Sequence, residues 1–237
     1  MRVQRKNRTT KKHSKEPANI VAKILKPSNS LKIHNRMKYP KNESGPEHKY
    51  IEIFTGGFNT STTGQLSLTN ACVQGTANGN RIGQKILMTS CHFKVEIGQT
   101  INGLNSSTGL TNTQSFNMVR VMLVYDKQPN NAAFSVSSDL LTGSSVQLVQ
   151  GNRQETTRER FVVLYDKTKI MQAGGPNAVK FEKYVKFRLP TTYSTGNAGT
   201  IADIESGSLY LVYIDQNTNG NLPAQGLASI RVNYVDN

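Results

Sequence analysis

The stretch Val119-Arg-Val-Met-Leu-Val-Tyr-Asp-Lys-Gln-Pro-Asn130 decides the fold. On a strand, Val119, Val121, Leu123 and Tyr125 share one face, and Arg120, Met122 and Val124 share the other. Both faces are apolar apart from one Arg, so the strand calls for cover on both sides. Asp126, Gln128, Pro129, Asn130 and Asn131 then end it with turn chemistry. Three later runs share this design and also close on Asp: Phe161–Asp166, Leu209–Asp215 and Ile230–Asp236. They read as central strands of a β-sandwich.

Working outward, the strand readings are Lys49–Gly57, Gln65–Cys72, Gln84–Ile97, Asn117–Asp126, Arg160–Asp166, Phe181–Leu189, Gly207–Asp215 and Leu227–Asp236. One short helix is expected near Ser137–Leu141, capped by Ser137 or Ser138. The polar loop Gly98–Phe116 is long enough to be functional or exposed. Few helices and long polar loops give an all-β chain, an antiparallel sandwich or jelly roll, over residues 49–237. Strands apolar on both faces, with the long loops, would leave surface for neighbours to cover.

The charge is unevenly placed. Of a formal net charge of +14, residues 1–48 carry thirteen Lys/Arg against three Glu, about +10. The remaining chain holds sixteen against twelve, about +4. Arg2, Arg5, Lys6, Arg8, Lys11, Lys12 and Lys15 crowd a segment with almost no apolar residues, which reads as a disordered arm. Such an arm suits a polyanion partner, and its cluster also suits a nuclear-localisation signal. Residues 17–25 carry a short apolar stripe at helical spacing, ended by Pro27.

Other chemistry is missing. The four histidines lack metal spacing, and the Gly-rich segment 75–83 has no GK[ST] and precedes a strand. No catalytic constellation emerges, so no enzyme, cofactor or metal site is expected. Asp126, Asp166 and Asp215 at strand ends either cap turns or converge on a divalent ion. Cys72 and Cys91 form no disulfide framework; they read as buried free thiols in different sheets of a reduced, intracellular protein. No signal peptide or membrane-spanning run is visible.

Four segments, in order and spacing, carry a resemblance: Asn80-Arg-Ile-Gly-Gln-Lys-Ile86, Val119–Asn130, Arg160-Phe-Val-Val-Leu-Tyr-Asp-Lys-Thr168 and Lys183-Tyr-Val-Lys186. The chain resembles the capsid proteins of circular, replication-initiator-encoding single-stranded DNA viruses, especially the geminivirus-like kind. The resemblance covers about residues 49–237, the arm matching in character only. It implies a single eight-stranded jelly roll like that of small satellite-virus shells, its strands lettered B to I in sheets B-I-D-G and C-H-E-F. It further implies a homo-oligomeric shell of about 60 copies, a single-stranded DNA genome as cargo, and residence in the virion and the host nucleus, with import factors as possible partners. The arm has no Cys/His cluster, so a zinc-finger contact to DNA is not supported.

Strand parity then predicts a site. In strand D, Leu87, Cys91, Phe93, Val95 and Ile97 are assigned to the core; in strand G, Val185, Phe187 and Leu189; in strand I, Ile230, Val232 and Tyr234. The opposite face of that sheet would carry Lys94, Lys186, Arg188 and Arg231 for DNA phosphates, with Tyr184 for base stacking. A solvated face, with these cations serving solubility alone, is the bland alternative. An RNA-packaging shell of the same fold and a non-structural nucleic-acid binder stay open as rivals.

Overall fold

Val119, Val121, Leu123 and Tyr125 lie in one apolar cluster, and Met122 and Val124 in a second, on the opposite side of the same strand. The two-sided reading of this strand therefore holds. The computed structural model describes residues 47–98, 116–172, 176, 178–216 and 224–236. The arm residues Arg2 to Lys15, the stripe at 17–25 and the loop at 99–115 lie outside the described residues.

The described strands are β1 (Glu47–Asn59), β2 (Gln65–Leu68), β3 (Lys85–Gly98), β4 (Phe116–Asp126), β5 (Phe161–Gln172), β6 (Ala178–Tyr193), β7 (Ile204–Ser206), β8 (Ser208–Asp215) and β9 (Gln225–Asp236). They form two antiparallel sheets, β1-β9-β3-β6-β7 and β2-β8-β4-β5. With β7 set aside, this is the B-I-D-G and C-H-E-F order of a jelly roll. The two sheets enclose the main core, which includes Phe93, Phe181, Leu211 and Tyr234.

Several expectations need correction. The first sheet has five strands, because Ile204–Ser206 pairs with the end of β6. β2 stops at Leu68, so Cys72 sits in a connection; Cys91 lies in β3, and both are buried free thiols. Burial pushes the Cys91 thiol up to about 12. β5 is an edge strand, not a central one. Its second half, Lys167 to Ile170, is exposed, and its lysines guard the open edge. Leu87 does not join the core. A register shift between Met88 and Ser90 reverses the alternation, so Ile86 and Met88 point inward while Leu87 is only half-buried.

The second apolar cluster is covered from within the chain. The segment between β4 and β5 lays Phe134, Val136, Leu140, Leu141, Leu148 and Val149 over the outside of the β2-β8-β4-β5 sheet. The cover expected from neighbours is thus supplied here by the protein itself. The segment holds a single π turn at Val136–Leu140, one residue earlier than expected, and 3-10 turns at Ser145–Gln150. Ser135, not Ser137 or Ser138, precedes the π turn, and its N–H donates to Asp139 Oδ2 at 2.8 Å.

Each strand-ending Asp has an anchoring task. Asp126 takes Arg160 in a two-pronged pair, Nε–Oδ1 and Nη2–Oδ2 both 2.7 Å. Asp166 takes Arg120 likewise at 2.8 and 2.6 Å, and Arg120 Nη1 donates to the Gly151 carbonyl at 2.8 Å. Asp215 accepts from Thr60 Oγ1 and from the Ala224 N–H. Asp236 accepts from the Ile82 N–H at 2.7 Å and Lys49 Nζ at 3.3 Å. These carboxylates do not converge, and no cluster of three metal-ligating side chains occurs among the described residues.

The motif Asn80–Ile86 is a structural latch. Arg81 is fully buried, its guanidinium carbon 4.2 Å from the centre of the Tyr193 ring. Its amino groups donate to the carbonyls of Gly83 at 2.7 Å and Gly196 at 2.6 Å. Burying this charge is offset by those bonds and by the ring face.

Candidate nucleic-acid interface

Cross-strand register fixes the outer face of the β1-β9-β3-β6 sheet. Pairing places Tyr50, Asn233, Ser90 and Lys186 in one row and Glu52, Arg231, His92 and Tyr184 in the next. Phe54, Ser229, Lys94 and Glu182 form a third row, and Leu227, Glu96 and Lys180 a fourth. Arg188 stands two residues beyond Lys186 on the same side of β6. Lys94, Tyr184, Lys186, Arg188 and Arg231, the side chains expected on one face, do share it, and all are exposed. No described segment crosses this face, in contrast to the covered face of the other sheet.

The face is less cationic than parity alone implied. Its rows, with Arg188, hold Lys94, Lys180, Lys186, Arg188 and Arg231 against Glu52, Glu96 and Glu182, five minus three or +2. Arg231 Nη2 donates to Glu52 Oε1 at 2.9 Å, and its guanidinium lies 4.8 Å from the centre of the Tyr50 ring. Glu182 gathers three neighbours: Lys180 at 2.8 Å, His92 at 3.5 Å and Lys94 at 3.7 Å. The Lys180 hydrogen bond is the main reason the Glu182 carboxyl titrates below its ordinary value. Lys186 and Arg188 have no ion-pair partner among the described residues.

Aromatic and apolar side chains interleave with these charges. Tyr50 is 46%, Phe54 72%, Tyr184 50% and Leu227 59% exposed, which leaves the Phe54 and Tyr184 rings accessible for stacking. Tyr184 meets His92 edge-on, ring centres 6.2 Å apart. Phe54 and Leu227 flank a groove of about 370 Å³ that also touches Lys94, Glu96, Lys180 and Ser229.

The sequence reading missed Phe54, Lys180, Leu227 and the three carboxylates. Phe54 was hidden because it follows Ile53 in an apolar run, although its parity matches Tyr50. Lys180 was excluded because β6 begins three residues before the expected start.

The described residues thus form a two-sheet jelly roll with exposed cations and aromatics on the outer face of one sheet. The comparison with protein families decides the matter of kinship. The model of the geminivirus coat protein/nuclear export factor BR1 family matches residues 2–237.

The chain belongs to that family.

The match takes in the arm as well as the jelly roll, so kinship extends beyond the region that carried the sequence resemblance. Among curated proteins no match was found. A viral coat protein is accordingly the class of molecule to which the chain belongs. No described helix is long and apolar enough to cross a membrane.

Proposed function

We propose that this coat protein assembles with identical copies into a small icosahedral shell and packages circular single-stranded DNA. The basic arm, with Arg2, Arg5, Lys6, Arg8, Lys11, Lys12 and Lys15, grips phosphates without reading sequence. The outer face of the β1-β9-β3-β6 sheet looks into the shell and assists, with Lys94, Lys186, Arg188 and Arg231 on phosphates and Tyr184 on bases. The observation that carries this reading is the register that sets these cations and aromatics together on the one sheet face that no described segment covers. With about 60 copies, arms of about +10 each supply on the order of 600 positive charges, enough to neutralise a sizeable part of a genome in the kilobase range. The same arm serves as the signal for entry to the host nucleus, where assembly takes place.

The family description pairs coat protein with nuclear export factor, which favours a second reading: a carrier of nucleic acid that forms no shell. Electron microscopy of purified protein, with and without circular single-stranded DNA at low and high salt, separates the two. Closed particles that fill in the presence of DNA support the shell. Monomers, or threads of protein along DNA at every condition, favour the carrier. Packaged material that resists deoxyribonuclease but yields to ribonuclease after the shell is opened would replace DNA by RNA.

A further inference from the structure

We propose that the groove beside Phe54 is a base-binding subsite that takes one nucleobase of single-stranded DNA. The inference rests on the reading of this sheet face as the nucleic-acid interface, and it divides that face into two halves. Lys186, Arg188 and Arg231 occupy one half, where cations are in excess. In the other half, Lys94 and Lys180 are balanced by Glu96 and Glu182, two against two, with Lys180 and Glu182 bonded at 2.8 Å. A locally neutral site does not favour a phosphate, and it costs little to place an uncharged ring there.

The shape suits a base. The Phe54 ring and the Leu227 side chain are 72% and 59% exposed and form apolar walls; the volume, about 370 Å³, is in the range of small-ligand sites. Ser229 and Lys94 offer hydrogen-bond donors at the rim and Glu96 an acceptor, which fits the mixed edge of a nucleobase. A second copy of the chain is the poorer occupant. The apolar patch is two side chains wide and ringed by charge, far short of the ~800 Å² per partner of a stable interface. From the Glu182 row to Lys186 is four residues along β6, about 13 Å at strand spacing. Phe54 lies on β1, three strands or ~14 Å across from β6. A strand seated with a base on Phe54 therefore meets Arg231 in the next row first and reaches Lys186 by crossing the sheet diagonally.

The test uses the full chain and two short oligonucleotides of equal length, one oligothymidine and one with abasic sites throughout. Phe54→Ser combined with Leu227→Ser should weaken oligothymidine binding roughly tenfold and leave abasic binding unchanged. Equal effects on both, or none on either, overturn the subsite. Lys186→Gln with Arg188→Gln is the control for the interface itself: it should weaken both oligonucleotides alike. If it weakens neither, the face is not the interface and both readings fall; if it does while Phe54→Ser has no effect, only the subsite falls. Photocrosslinking of the unaltered chain to bromodeoxyuridine-containing DNA is independent of folding effects. Adducts on the peptide carrying Phe54 or Leu227 support the subsite, and adducts confined to other peptides contradict it. Altered particle assembly with unchanged oligonucleotide affinity would assign the groove to a subunit contact instead.

Discussion

Glu182 accepts a hydrogen bond from Lys180 at 2.8 Å. The same carboxylate lies within 4 Å of His92 and Lys94, so one acidic group restrains three potential phosphate contacts. Glu182→Gln should therefore strengthen oligonucleotide binding. The slope of log affinity against log salt should steepen by up to about 0.7 for each cation released. Acidification does not mimic the substitution until the pH is below the ordinary carboxylate value near 4.3, because Lys180 holds the charged form. Titration of the interface at several salt concentrations checks both points; an unchanged slope in the variant contradicts them.

Lys186 and Arg188 project from β6 without an ion-pair partner among the described residues, so they contribute undiminished charge. Replacing both by Gln should shallow the salt slope by about 1.4, two contacts at ~0.7 each on a single strand. The loss should be the same for every DNA sequence, as expected of phosphate contacts. A sequence-dependent loss would point to base readout instead.

Arg120 joins β4 to β5 and to the segment that covers them, through Asp166 and the Gly151 carbonyl. Arg120→Met leaves the Asp166 carboxylate without its partner. The expected cost is ~1–2 kcal/mol, below that of a fully buried pair, because Asp166 is exposed and its stranded carboxylate stays hydrated. Arg120→Met with Asp166→Leu should recover much of that loss. Urea unfolding of the three proteins measures it; equal stability of the single and double variants would contradict the argument.

Burial pushes Tyr125 and Tyr210 up to about 12, and Tyr193, Tyr213 and Tyr234 higher still. In the unfolded chain these phenols titrate near 10. Their contribution is therefore whole below about pH 10 and falls as pH rises toward the folded values, by ~1.4 kcal/mol per pH unit for each group. Tyrosinate absorbance and loss of β-sheet signal should appear together between about pH 10 and 12. Gradual ionisation of these tyrosines with the fold intact would contradict the burial argument.

The jelly roll was legible because short apolar strands such as Val119–Tyr125 recur between stretches of turn chemistry; one apolar set of that strand meets the facing sheet and the other meets the segment at 134–149. Less legible was what covers each side. The apolar residues at 134–149 lie in turns without strand or helix period, so nothing marked them as the lid of the second sheet. The phase of β3 was lost at one register shift near Thr89, which no residue type announces and which turned Leu87 outward. At the interface, parity placed Lys94, Tyr184, Lys186, Arg188 and Arg231 on one face because period-two alternation survives in β6 and β9. Their neutralising partners were not visible, since Glu52 and Glu182 reach Arg231 and Lys94 across strands far apart in sequence.

Division of labour between a wall-building body and a cargo-gripping arm is the central claim. Its most direct test is deletion of residues 2–16 followed by measurement of nucleic acid per particle. The proposal predicts closed particles that are nearly empty, since the deletion removes Arg2, Arg5, Lys6, Arg8, Lys11, Lys12 and Lys15 and leaves the strands untouched. Particles of the shortened chain that hold as much DNA as those of the intact protein would contradict it.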